Sequence, residues 1–186
     1  MDLDDAYANA AYIPGGDAYP EKWAQAAEAF RAQTLCELDL AYGESARQKL
    51  DLFHPPRLAK GLVVFVHGGY WLRFDKSFWS HLAAGPLAHG WAVAMPSYDL
   101  CPDVSIAQIS QQIARAITAI AEMDAGPITL AGHSAGGHLV ARMRDRALLN
   151  DKVLARLRAV VPISPLADLR PLLRTKLNDA IRLTPD

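Results

Sequence analysis

Two hydrophobic rhythms alternate along the chain. Apolar runs of strand length occupy residues 61–66, 91–95, 127–131 and 157–163, the pattern of strands covered on both faces. Between them apolar residues recur at three- and four-residue steps. Trp23, Ala26, Ala27 and Phe30 predict an amphipathic helix over 20–31 with Pro20 at its first position. Trp23 reads as core. Ile106, Ile109, Ile113, Ile117 and Ile120 predict a helix face packed on a sheet, with Ser105 as its cap, and Leu139, Val140 and Met143 mark a third helix. A further helix is expected from Asp75 through Phe78, Trp79 and Leu82, broken near Gly85-Pro86 and ended at Gly90. Segments 35–42 and 48–53 flank Gly43-Glu44-Ser45 and predict a hairpin. Strands alternating with helices imply an α/β fold, a mostly parallel sheet with helices on both faces, in a single domain over 1–186. Residues 1–18, with the turn formers Pro14-Gly15-Gly16, are expected to wrap the surface as an arm without chemistry.

Composition narrows the function classes. A chain of 186 residues buries roughly 70% of its unfolded surface, enough for one real core. A net charge of −1 gives no electrostatic reason for a nucleic-acid or membrane-surface partner. No apolar run approaches a membrane span. Cys36 and Cys101 form no C-x-x-C and read as small buried side chains in a reducing compartment. The first residues lack a basic, apolar leader. A soluble, cytoplasmic protein is expected.

The candidate chemistry lies where the apolar run 127–131 meets the helix after residue 134. Gly132-His133-Ser134-Ala135-Gly136 fits G-x-S-x-G, in which small neighbours let a sharp turn lift a serine Oγ clear of the sheet. The helix beginning there aims free N–H groups where an acyl oxyanion would form. The run 61–66 leads into His67-Gly68-Gly69-Tyr70-Trp71, whose glycines let backbone amides approach a ligand closely. Tyr70 and Trp71, with His133, are candidate pocket walls for an aromatic substrate, and Trp71 reads equally well as core. No residue pattern calls for a metal or organic cofactor.

Both motifs together resemble the α/β-hydrolase fold, and within it the kynurenine formamidase (arylformamidase) branch of the esterase–lipase group. The resemblance is carried by Tyr19-Pro20-Glu21, His67-Gly68-Gly69-Tyr70-Trp71, Pro96-Ser97-Tyr98-Asp99-Leu100-Cys101-Pro102, Gly132-His133-Ser134-Ala135-Gly136-Gly137-His138-Leu139 and Asp168-Leu169-Arg170-Pro171-Leu172. It implies that Ser134 is the nucleophile and that the backbone of Gly68, Gly69, Tyr70 and Ala135 forms the oxyanion hole. It also implies N-formyl-L-kynurenine, or a similar aryl formamide, as substrate. A carboxylesterase acting on small acyl esters, and a non-catalytic binding protein, are the alternatives. The fold's triad order, serine, acid, then histidine, places the last two after later strands. Only His138 follows Ser134, and its place on the helix and in the family pattern marks it as non-catalytic. Asp145 and Asp151 read as solvated charges; Asp168 matches a segment other than the triad acid, and Asp179 and Asp186 follow no strand. The chain is therefore expected to be truncated at its C-terminus, with 167–186 the start of a helical cap. An open sheet edge that allows a homodimer is expected as well.

Overall fold

The structure, a computed structural model, describes residues 2–123 and 125–185, so the expectation for Asp186 lies outside the described residues. In chain order its elements are α1 (Leu3–Ala6), α2 (Tyr19–Arg31), β1 (Cys36–Ala41), β2 (Lys49–Phe53), β3 (Leu62–Val66), α3 (Ala84–Ala88), β4 (Ala92–Pro96), α4 (Ile106–Met123), β5 (Ile128–His133), α5 (Ala135–Arg142), α6 (Asp151–Arg156), β6 (Leu157–Ile163) and α7 (Asn178–Ile181). The strands form one sheet in the order β1-β2-β4-β3-β5-β6. The β1–β2 hairpin and the β2–β4 pair are antiparallel; β4, β3, β5 and β6 run parallel.

The apolar runs are strands because both sheet faces are covered, and strand periodicity divides their side chains between two cores. Leu62, Val64 and Val66 of β3, Ala92 and Ala94 of β4, and Ile128 and Leu130 of β5 join the larger core with α4 and α5. The alternate residues Phe65, Val93 and Met95 join Phe53 and Ala83 in the smaller core, against which Phe30 of α2 and Leu87 of α3 pack. The isoleucine face of α4 is buried, with Ile109, Ile113 and Ile117 fully inaccessible. No described helix is long and apolar enough to cross a membrane.

Several expectations need correction. The segment after Asp75 is not one helix: two 3-10 turns, Lys76–Phe78 and Ser80–Ala83, precede the five-residue α3. Pro86 cannot donate a backbone hydrogen bond, which it tolerates only near the start of a helix, and α3 begins two residues before it. A short helix that the sequence pattern had not marked, α6, opens at the exposed Asp151 and is capped by Asn150, whose side chain accepts from the Val153 amide. The arm carries α1 and two 3-10 turns, Asn9–Tyr12 and Gly16–Ala18, none with a buried residue. It is fastened at one end by the Lys176 amide, which donates to Asp4 Oδ1 over 2.7 Å. Leu172 and Ile181, in the segment read as a cap, are buried in the larger core. Cys36 and Cys101 are free thiols, Cys101 buried and Cys36 half-buried.

Candidate active site

β5 ends at His133 and α5 begins at Ala135, leaving Ser134 to make the whole turn at φ 56°, ψ −117°. That is the left-handed side of backbone space, which a serine occupies only under constraint and at about 1–3 kcal/mol. The constraint is visible. Ser134 N–H donates to the Ile163 carbonyl of β6 over 2.9 Å, and its own carbonyl accepts from His138 N–H over 3.1 Å. Gly136 lies so close to the end of β3 that a Cβ there would sit 2.1 Å from the Val66 carbonyl oxygen. The small residues of the motif are thus required by the approach of α5 to the sheet. The Ser134 side chain does not cap its helix, and no described residue hydrogen-bonds its hydroxyl.

The loop after β3 meets this turn. A Cβ on Gly68 would lie 3.1 Å from Ser134 Cβ, so the two segments touch at the serine. Gly69, Tyr70 and Trp71 follow with φ of 112°, 54° and 59°, a left-handed run that turns the chain back on itself. Leu72 and Arg73 amides close the turn on the Gly69 carbonyl, and Cys101 N–H fastens the Trp71 carbonyl over 2.9 Å. The amides of Gly69, Tyr70 and Ala135 donate to no acceptor among the described residues. Gly69 and Tyr70 border the same cavity as Ser134, and Ala135 follows the serine directly, so their free amides are the candidates for holding an acyl oxyanion.

His67 holds the loop from beneath. Its ring is fully buried, stacks on Tyr98 at 4.3 Å and bonds through Nδ1 to the Gly68 carbonyl over 2.7 Å. Burial pushes its pKa down to about 4, so the ring is neutral at physiological pH and Nδ1 carries the proton it donates to Gly68. Because a trans peptide points N–H and C=O in opposite directions, this bond turns the Gly69 amide away from the imidazole.

Above the serine opens a cavity of about 910 Å³. Gly68, Gly69, Tyr70, His133 and Ser134 line it. Trp71 does not: it is completely buried, with its ring edge-on to His138 at 5.4 Å, which settles its two readings in favour of the core. Trp23 is corrected the other way. It is half-buried and lines the cavity with Tyr19, Phe74 and Trp79, its ring 4.8 Å from that of Trp79. The arm, read as chemically silent, supplies a further wall through Tyr7, Asn9, Ile13 and Asp17, and Tyr70 Oη donates to the Tyr7 carbonyl over 3.1 Å. No described residue of the segment read as a helical cap borders the cavity.

The other acid–base residues stand apart from the serine. His138 is engaged through Nδ1 with the Leu166 carbonyl at 3.2 Å, and burial lowers its pKa. Asp168 is exposed and forked by Arg170 at 2.7 Å, which holds its pKa down to about 2. Asp145 and Asp151 lie on the surface beside Arg142 and Arg146, and Asp179 is exposed. No group of three or more metal-ligating side chains occurs among the described residues.

Residues 63–185 match the alpha/beta-hydrolase fold family. A provisionally assigned thioesterase from a Silicibacter species superposes with a TM-score of 0.96 at 61% identity, covering 99% of this chain and 71% of its own. The kynurenine formamidase of Salmo salar is 33% identical over 160 residues, 82% of this chain and 53% of that protein. The chain spans about half the length of the curated relatives it matches. An inhibited esterase B from Lactobacillus rhamnosis shares the fold with a TM-score of 0.63 at 23% identity, covering 84% of this chain and 60% of its own.

Proposed function

The chain belongs to the alpha/beta-hydrolase family, and from that premise we propose that it hydrolyses an aryl formamide, N-formyl-L-kynurenine first among them, through an acyl-enzyme on Ser134. Ser134 Oγ attacks the formyl carbonyl and gives up its proton to a base. The carbonyl oxygen becomes an oxyanion held by the amides of Gly69, Tyr70 and Ala135. Collapse breaks the C–N bond, and the aromatic amine leaves with a proton. Water then attacks the formyl-serine, releasing formate and restoring the hydroxyl.

The observation that carries this reading is the meeting of an unpartnered, strained serine with unpartnered amides on the floor of an aromatic-walled cavity. Tyr19, Trp23, Phe74 and Trp79 suit an aryl leaving group better than a short aliphatic chain. The attack also needs a proton acceptor. No described residue hydrogen-bonds Ser134 Oγ, so the reading requires an imidazole brought to it from outside those contacts.

The Silicibacter neighbour supports a second reading, hydrolysis of a thioester by the same serine and the same amides. Comparative turnover separates the two. Preference for N-formyl-L-kynurenine over a phenyl thioester and a phenyl ester of matched acyl length supports the formamidase; the reverse order supports the thioesterase. No turnover of any of the three by folded protein supports a binding role for the cavity and overturns the proposal.

A further inference from the structure

The cavity carries charge as well as aromatic surface. Its wall carries one acidic and one basic side chain besides His133, Asp17 and Arg73. Neither side chain forms an ion pair or a hydrogen bond with a described residue. Both residues are exposed, and what the structure fixes is their backbone. Asp17 sits in the 3-10 turn Gly16–Ala18, set by the left-handed Gly15 at φ 68°. Arg73 donates its amide to the Gly69 carbonyl over 3.1 Å, which roots the guanidinium in the turn that carries the oxyanion amides. Its guanidinium lies over the Phe74 ring, 5.2 Å from the centroid. That contact covers a flat face and leaves the edge, with its forked donors, for a carboxylate.

We propose that Arg73 and Asp17 are specificity residues that read the two ends of an α-amino-acid group, Arg73 taking the carboxylate and Asp17 the ammonium, while the Trp23–Trp79 wall takes the aromatic ring. The inference rests on the aryl-formamide reading and deepens it, because N-formyl-L-kynurenine carries such a zwitterion on a short chain ortho to its formamide. A hydrophobic wall alone discriminates weakly among aromatic amines. Two opposite charges on the wall add a modest preference for ligands that carry both partners.

Binding tests this without turnover. The Ser134→Ala protein is titrated at low salt with L-kynurenine, with kynuramine, which lacks the carboxylate, and with the corresponding acid that lacks the amino group. Quenching of tryptophan fluorescence is the readout. Arg73→Ala is expected to weaken L-kynurenine and the desamino acid by roughly two- to fivefold, as for exposed charge pairs, and to leave kynuramine unchanged. Asp17→Asn is expected to weaken L-kynurenine and kynuramine and to spare the desamino acid. Equal loss of all three ligands, or no loss of any, overturns the assignment, as does absence of binding to the parent protein. Because these titrations need no catalysis, failure of the formamidase reading appears separately, as N-formyl-L-kynurenine turnover no better than that of the thioester.

Discussion

At the scale of single residues, two groups are held in costly states whose cost is met by their neighbours. Ser134 keeps a left-handed backbone because Ile163 and His138 fix its amide and carbonyl and the glycines around it let α5 approach β3. His67 is buried as a neutral ring, its pKa down at about 4 against an ordinary 6.5. Its sign follows from proton linkage. Between those two values the unfolded chain binds a proton that the folded chain refuses, so stability is full above about pH 6.5 and falls as pH drops toward 4. The loss amounts to roughly 3 kcal/mol. Urea midpoints measured between pH 7 and pH 4 should fall more steeply in the parent than in His67→Asn, which keeps a donor for Gly68 but does not titrate. Equal slopes would show that His67 is not the neutral strut described here. At this scale the sequence was informative where chemistry demands a residue type, as at Ser134, and ambiguous where a turn decides. Tyr70 and Trp71 are adjacent aromatics, and nothing in their residue types says that the first lines the cavity while the second is buried in the core.

Elements differ in how plainly they were written. The strands β3, β4 and β5 and the helix α4 were legible because burial on both faces of a sheet, or along one face of a helix, leaves a periodic record. The arm left none. Its short turns bury no residue and repeat no period, yet they wall the cavity, since their position is set by distant contacts at Asp4 and Tyr7. The apolar stripe of α2 was likewise readable as a stripe, but periodicity does not say whether Trp23 faces a sheet or a pocket. The contact between Tyr70 and Tyr7 gives the arm its bond to the oxyanion loop. Tyr70→Phe, which spares the ring and the backbone amide, should therefore speed hydrogen exchange of the bonded amides in 7–13 and of Leu72 and Arg73 together, with the β3 and β5 amides unaffected. Exchange that stays unchanged in both segments would mean that the arm is held independently of the loop.

At the scale of the whole molecule, the sheet is closed at neither side. β6 is an edge strand whose Val161 and Ile163 remain 44% and 45% exposed, an apolar margin of the kind that pairs with another chain. Sedimentation over a concentration series should show reversible association of this chain, reduced by Val161→Lys; a monomer at every concentration would remove that expectation. The architecture otherwise serves one point. The loop after β3, the turn after β5 and the N-terminal arm all border the cavity that holds Ser134, and the proposed hydrolysis requires that serine to accept an acyl group. The most direct measurement is release of kynurenine from N-formyl-L-kynurenine by the protein and by its Ser134→Ala variant, with both shown to be folded. Release is expected to disappear in the variant; release at the same rate from both would show that Ser134 is not the acyl acceptor.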